Sequence, residues 1–105
     1  MDTLDTLEQT IRERRTGDPA SSYVAKLTAR GRAKIAQKVG EEATETVIAA
    51  LTQDKAALTS EAADLVFHLL VLLADASVTL DDVRAELARR EGVSGLNEKA
   101  ARDAD

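Results

Sequence analysis

The sequence lacks several residue types whose absence restricts its fold and chemistry. It has no cysteine, which excludes a disulfide scaffold, a thiolate metal site and a cysteine nucleophile. One proline and five glycines in 105 residues leave few helix-breaking positions. There is no tryptophan, and the apolar residues are mostly Ala, Leu and Val, without the alternating pattern of a strand. This composition favours helices, so the predicted fold class is all-α.

Basic residues are the minority among the charged ones. There are 14 Lys and Arg against 19 Asp and Glu, which gives a net charge of −5. This balance argues against a general nucleic-acid binder, although local cations or a metal can still attract phosphates. Residues 1–5 have neither the basic region nor the apolar core of a secretory signal, so we expect a cytoplasmic protein. The length predicts one domain, residues 1–105.

Apolar periodicity and capping residues predict about five helices. The first follows Asp2 or Thr3 and runs to about residue 15, and a short second helix follows Ser21 or Ser22. Two long helices span about 32–52 and from the 53–55 turn to about 76, and a fifth runs from 80 to 91. Residues 93–105 form a polar tail that is either frayed or folds Lys99 and Arg102 over a phosphate.

The fourth helix predicts an oligomer. Residues 62–74 are apolar almost all round, and such a helix must be buried on more than one side. The run is too short to span a bilayer and contains Asp64 and His68, so we expect no membrane span. A chain of this length has too few other helices to cover it. We therefore predict an obligate homodimer whose core is a four-helix bundle, with two long helices from each chain.

Two acidic clusters occupy the long helices. Glu41, Glu42 and Glu45 lie together on the third helix, and Glu61 and Asp64 share one side of the fourth. If these helices pack antiparallel, the carboxylates converge and repel one another unless a cation neutralises them. Oxygen ligands without cysteine favour a hard ion, most plausibly Mg²⁺.

A simpler reading exists for several of these residues. Lys–Glu pairs on the third helix could form an ordinary solvated face. That reading is weaker for Asp64, which lies within an apolar run where an unpaired charge is costly. His68 fits a hydrogen-bonded packing residue better than a metal ligand, and Asp75 is expected to be solvated. Gly40 costs helix stability, so a close backbone, ligand or packing contact is expected there.

Basic side chains precede the acidic clusters. Three of them lie on the second helix and at the start of the third: Lys26, Arg30 and Arg32. This region is either a packing arm alone, or its basic residues also help to hold an anionic ligand. Lys34 and Lys38, with Arg30, are placed to offset phosphate charge. The candidate substrate-binding residues are Lys34, Lys38, Arg30, His68, Lys99 and Arg102.

The motifs resemble a known family. An EExxE motif at 41–45, fifteen residues, and then an ExxD motif at 61–64 resemble the all-α NTP pyrophosphohydrolase superfamily. The longer match resembles the phosphoribosyl-ATP pyrophosphohydrolase family within it. It is carried by the segments SYxxKL (22–27), IAQKVGEEAxE (35–45), EAADLxxHLLVL (61–72) and SGLxEKAxR (94–102). One departure is Phe67, where the family pattern has Tyr before the histidine.

The resemblance implies a cytoplasmic dimer that uses Mg²⁺ to hydrolyse phosphoribosyl-ATP to phosphoribosyl-AMP and pyrophosphate in histidine biosynthesis. The superfamily's metal-site positions correspond to Glu41, Glu42, Glu45, Glu61 and Asp64. The expected metal ligands are Glu42, Glu45, Glu61 and Asp64. The expected catalytic residues are Glu41 and Glu42, with a carboxylate outside the coordination shell, such as Glu41, taking the proton of the attacking water.

Two alternatives remain at this point. The same chemistry could act on dNTPs in nucleotide-pool sanitation. A protein of another class, a non-catalytic acidic helical dimer, would bind a partner protein instead. That protein would leave its acidic stripe fully solvated and would bind no Mg²⁺.

Overall fold

The structure, a computed structural model, describes residues 1–91. These residues form five helices and no strand: α1 (Thr3–Arg14), α2 (Tyr23–Ala29), α3 (Arg32–Thr52), α4 (Lys55–Asp75) and α5 (Leu80–Glu91). The all-α prediction and the helix count are confirmed. Lys99, Arg102 and the tail predicted at 93–105 lie outside the described residues.

Side chains at the helix starts fix the boundaries of several helices. The Asp2 carboxylate accepts a hydrogen bond from the Asp5 amide, and the Asp5 carboxylate accepts one from the Asp2 amide. At α2 and α4 the cap is a single hydrogen bond: the Ser22 hydroxyl accepts from the Ala25 amide, and the Asp54 carboxylate accepts from the Ala57 amide. Gly31 joins α2 to α3 with a φ of 95°, a conformation that favours glycine.

Helices α3 and α4 form an antiparallel hairpin, joined by Gln53 and Asp54. The pairing is visible at its open end, where the Arg32 side chain at the start of α3 contacts Asp75 at the end of α4. Helix α1 packs on α4, and α2 lies against both members of the hairpin. The core between them is aliphatic, and its members are Ile11, Val24, Leu27, Ile35, Leu70, Val71 and Ala74.

Asp75 holds three helices together. Its carboxylate accepts hydrogen bonds from Arg32 Nε at 2.8 Å and from an Arg15 guanidinium nitrogen at 3.2 Å. Its side chain is only 15% exposed, and these two cations lower its pKa. The expectation that Asp75 is solvated was therefore wrong. The Arg32 guanidinium is paired with Asp75 in this contact, so its charge is already balanced.

Several large apolar side chains of the α3–α4 hairpin are exposed. Val47, Ile48 and Leu51 on α3 are 57%, 48% and 79% exposed. Val66 and Leu69 on the apolar part of α4 are 37% and 40% exposed. By length and composition alone α4 could cross a membrane, but core helices of soluble proteins meet the same criterion.

Candidate functional site

Three carboxylates from the hairpin meet between its helices. Glu42 and Glu45 on α3 and Glu61 on α4 each offer an oxygen, and these oxygens lie within 4.8 Å of one another. The antiparallel pairing of α3 and α4 produces this convergence, which includes three of the five carboxylates in the two predicted acidic groups. We call these three residues the acidic cluster.

The acidic cluster is partly enclosed and its hydrogen bonding is incomplete. Glu42 is only 7% exposed, although it is ionisable. Oε2 of Glu42 and Oε2 of Glu61 are buried without a hydrogen-bond partner within residues 1–91. Buried carboxylate oxygens without donors are costly in isolation. A divalent cation would satisfy them, and a donor set made only of carboxylate oxygens fits Mg²⁺.

The electrostatics of the acidic cluster favour protonation. Burial raises the pKa of Glu42, and the charges of Glu45 and Asp64 raise it further, while His68 opposes the shift. The pKa of Glu61 is raised by loss of solvent and then by Glu45, Asp64 and Glu42. These directions are those of carboxylates brought together without a counter-charge. A bound cation would reverse them.

Asp64 lies one turn after Glu61 on α4 but outside the group of three converging oxygens. It is exposed, and its charge acts on both Glu42 and Glu61. Its peptide oxygen accepts a hydrogen bond from His68 Nδ1 at 2.8 Å. Its place as a fourth metal ligand therefore stays a prediction.

His68 is a buried, fully bonded side chain, 7% exposed. With Nδ1–H donating to the Asp64 peptide oxygen, Nε2 accepts from the Tyr23 hydroxyl at 2.8 Å. The rings of Tyr23 and Phe67 pack against it at centroid distances of 5.8 and 5.2 Å. This arrangement agrees with a packing histidine that fixes the backbone at Asp64. The Tyr23 bond joins residues 45 positions apart, so spacing could not have predicted it.

Glu41 is not one of the three converging carboxylates. Its carboxylate accepts a hydrogen bond from Gln37 Nε2 at 2.9 Å and pairs with Lys38 Nζ at 3.2 Å. These two contacts, in that order, lower its pKa. Glu41 is thus ionised near neutral pH, but it is also a weaker base than a glutamate without these partners.

The predicted substrate-binding residues Arg30, Lys34 and Lys38 line one cleft between α2 and α3, of about 280 Å³. Tyr23, Lys26, Leu27 and Glu41 complete its lining. We call it the basic cleft. His68 does not line it but supports Tyr23 from behind. Val24 and Leu27 are buried in the core, so the second helix does pack as an arm against the hairpin. Anion binding by Lys26 and Arg30 stays a prediction.

Gly40 lies on α3 beside these groups. A Cβ atom added there would meet nothing within 4 Å. The packing or backbone contact that would explain a glycine is therefore absent among residues 1–91. A ligand contact at this position stays a prediction.

Comparison with known proteins identifies the family. The family model for phosphoribosyl-ATP pyrophosphohydrolase matches residues 4–91. The chain is 66% identical over 100 residues to a phosphoribosyl-ATP pyrophosphatase of Rhizorhabdus wittichii, which covers 95% of this chain and 94% of the relative. It is 67% identical to the Novosphingobium aromaticivorans protein of the same name, over 94% of this chain and 92% of the relative. The Zymomonas mobilis protein, again of that name, is 63% identical, over 96% and 94%. The chain belongs to the phosphoribosyl-ATP pyrophosphohydrolase family.

Proposed function

We propose that this protein hydrolyses the α–β phosphoanhydride of phosphoribosyl-ATP, giving phosphoribosyl-AMP and pyrophosphate in the second step of histidine biosynthesis. The observation that carries the proposal is the family match over residues 4–91, which includes every member of the acidic cluster. The relatives that bear the enzyme's name match nearly the whole chain.

The divalent cation belongs to this proposal. Glu42, Glu45, Glu61 and Asp64 would hold Mg²⁺, which when bound neutralises phosphate charge and polarises the bond to be cleaved. The two unpartnered oxygens, on Glu42 and Glu61, support this assignment.

Glu41 and Glu42 are the proposed catalytic carboxylates. Glu41 is ionised and exposed, and Lys38 Nζ lies between it and Glu42 of the acidic cluster, so Glu41 can take the proton of a water that attacks a phosphate held there. Glu42 lies inside the acidic cluster, so it would help to hold the cation that binds the phosphate end of the substrate. Arg30, Lys34 and Lys38 offset phosphate charge, and His68 acts on substrate only through Tyr23. Lys99 and Arg102 are proposed to add phosphate contacts from the tail.

The proposal includes a homodimer. The uncovered side chains on α3 and α4 support the predicted four-helix bundle of two hairpins, because a second copy would bury them. They are Val47, Ile48, Leu51, Val66 and Leu69. Residues 1–105 then form one domain per subunit, cytoplasmic and without a nucleic-acid or membrane partner.

Pyrophosphate release from phosphoribosyl-ATP and from a panel of dNTPs tests the proposed substrate. We expect Mg²⁺-dependent release from phosphoribosyl-ATP and complementation of a histidine auxotroph that lacks this step. Faster release from a dNTP, without complementation, would favour nucleotide-pool sanitation. A non-catalytic acidic dimer would release pyrophosphate from neither substrate, and the burial of Glu42 already argues against its fully solvated stripe.

A further inference from the structure

The basic cleft concentrates positive charge in an acidic protein. Four of its lining residues are cationic, Lys26 and Arg30 from the α2 segment and Lys34 and Lys38 from α3, against one carboxylate, Glu41. The whole chain carries a net charge of −5. A local excess of cations in a concave site is typical of a site for an anion.

Most of these cations have no counter-ion. Within residues 1–91, no carboxylate oxygen lies within 4.0 Å of the side-chain nitrogens of Lys26, Arg30 or Lys34. Basic residues elsewhere in the described chain do pair, as Arg32 does with Asp75 at 2.8 Å and Arg84 with Asp5 at 2.7 Å. The charges lining the basic cleft are therefore left available to a ligand.

Lys38 connects the basic cleft to the acidic cluster. Its Nζ lies 3.2 Å from Glu41, at the cleft, and 3.8 Å from Oε1 of Glu42, in the cluster. The two sites are therefore contiguous along α3. A ligand with two anionic ends can place one end at each site.

Phosphoribosyl-ATP is such a ligand. One end is a triphosphate, which contains the bond to be cleaved and so must meet the cation at the acidic cluster. The other end is a phosphomonoester on the added ribose, and carboxylates without a cation would repel it. Cationic side chains with free N–H donors are the groups that bind a phosphomonoester in water.

We propose that the basic cleft binds the phosphomonoester of the phosphoribosyl group, and that this contact makes the enzyme prefer phosphoribosyl-ATP over ATP. The inference rests on the proposed function and assigns a part of its substrate to a site. The competing assignment places the distal phosphates of the triphosphate in the basic cleft. The two assignments differ for a ligand without distal phosphates: only the proposed one predicts that the cleft strengthens binding of such a ligand when it carries the phosphoribosyl group.

Phosphoribosyl-AMP and AMP are the probes that separate these assignments. Both carry the adenosine 5′-phosphate and neither carries the distal phosphates, so they differ only in the phosphoribosyl group. Their dissociation constants would be measured by calorimetry with Mg²⁺ for the wild type and for the Arg30→Ala/Lys34→Ala variant. The control is Lys55→Ala, which removes one positive charge at a residue that does not line the cleft. Lys38 is left intact because it also contacts Glu42.

We expect the wild type to bind phosphoribosyl-AMP at least about tenfold more tightly than AMP. The double variant should lose most of that ratio through weaker phosphoribosyl-AMP binding, with AMP affinity unchanged. The Arg30→Lys/Lys34→Arg variant should keep the affinity ratio, since both positive charges remain. Lys55→Ala should keep it as well, because Lys55 lies outside the cleft. An undiminished ratio in the double variant, equal weakening of both ligands, or no preference in the wild type would overturn the proposal.

Pyrophosphate release by the wild type tests the proposed function separately. If the wild type cleaves phosphoribosyl-ATP and the double variant keeps its preference, the cleft assignment alone is wrong. If the wild type releases no pyrophosphate from phosphoribosyl-ATP, the proposed function fails and the cleft assignment fails with it. Circular dichroism of both variants shows whether the helices are retained.

Discussion

Glu42 and His68 are the two buried polar side chains among residues 1–91. Sequence periodicity put Glu42 at the border between the polar and apolar faces of its helix, so it identified the residue but not the depth of its burial. How deeply Glu42 is buried depends on which α4 side chains pack against it, and the apolar pattern of one helix contains no information about its neighbour. The missing hydrogen-bond partner at its Oε2 is likewise a property of the packed hairpin.

Glu42→Gln is expected to abolish turnover without unfolding the protein. The amide keeps the volume but loses the charge that a divalent cation requires, so the rate should fall by about 100-fold or more. Asp64→Asn should act in the same direction. The measurement is Mg²⁺-dependent pyrophosphate release, with helix content followed by circular dichroism.

Glu13→Gln is the matched control for this substitution, because Glu13 is an exposed residue of α1 remote from the acidic cluster. It should leave the rate unchanged. A Glu42→Gln or Asp64→Asn enzyme with near-normal rates would show that the metal ligands are wrongly assigned.

Asp75 shows where sequence reasoning fails at the residue scale. Its position near the end of α4 suggested that it is solvated. Its two partners could not be predicted, because Arg15 and Arg32 are 60 and 43 positions away in the sequence. Only the assembled fold brings them to it. The same limit applies to the bond between Tyr23 and His68.

Asp75→Asn should destabilise the fold by about 1–2 kcal/mol at neutral pH, because it weakens two charged hydrogen bonds in a partly buried site. The cations lower the pKa of Asp75 below 3.8, so its contribution is present above that pH and is lost as the pH falls through the lowered value. Urea unfolding at pH 7 and near pH 3 checks this. Asp81→Asn, whose carboxylate is 89% exposed, should change little. A wild-type advantage that is equal at both pH values would contradict the assignment.

At the scale of elements, the helices followed closely from the sequence. The predicted spans 32–52 and 80–91 match α3 and α5, and the capping roles of Ser22 and Asp2 are confirmed. Capping residues and apolar periodicity are local signals, so one sequence is enough to read them. From the sequence, the antiparallel pairing of α3 and α4 was only a condition for convergence, and the structure has this pairing, which brings Glu61 to Glu42 and Glu45. The exclusion of Asp64 from that group of oxygens depends on side-chain direction, which periodicity does not specify.

The carboxylates between α3 and α4 should make stability depend on metal and pH. The raised pKa values of Glu42 and Glu61 mean that the metal-free folded state binds protons more tightly than the unfolded chain. Their protonation stabilises the fold fully below about pH 4.5, and that stabilisation is lost as the pH rises through the raised values. Mg²⁺ should therefore raise Tm at neutral pH and have less effect in acid.

Thermal melts in chelator and in Mg²⁺, at several pH values, test this prediction against Glu42→Gln. Without metal at neutral pH the variant should melt above the wild type, and the difference should disappear below about pH 4.5. The variant should also lose most of the Mg²⁺-induced gain. A wild type whose Tm does not respond to Mg²⁺ would contradict the metal site.

At the scale of the whole molecule, the exposed apolar surface of the hairpin is the main feature that one chain does not explain. The sequence predicted it from the lack of covering helices, and residues 1–91 leave Val47, Ile48 and Leu51 largely exposed. Which surface a second copy would use cannot be read from the apolar pattern, because a buried helix and an interface helix look alike.

Leu51→Asp is expected to dissociate the proposed dimer. Leu51 is 79% exposed in the single chain, so the change costs little there, whereas a charge buried between two hairpins is unfavourable. Light scattering after size exclusion should give a dimer for the wild type and a monomer for the variant at micromolar concentration. Leu4→Asp on α1, 39% exposed, should stay dimeric. A monomeric wild type, or a dimer that both substitutions leave intact, would rule out this interface.

The central claim is that the acidic cluster between α3 and α4 binds the divalent cation on which hydrolysis depends. Crystals grown with Mn²⁺, which shares the oxygen ligands of Mg²⁺, would reveal the site by anomalous diffraction. We predict a strong peak in contact with Glu42, Glu45 and Glu61. Diffraction that shows these carboxylates turned apart, with no anomalous density between α3 and α4, would contradict the account.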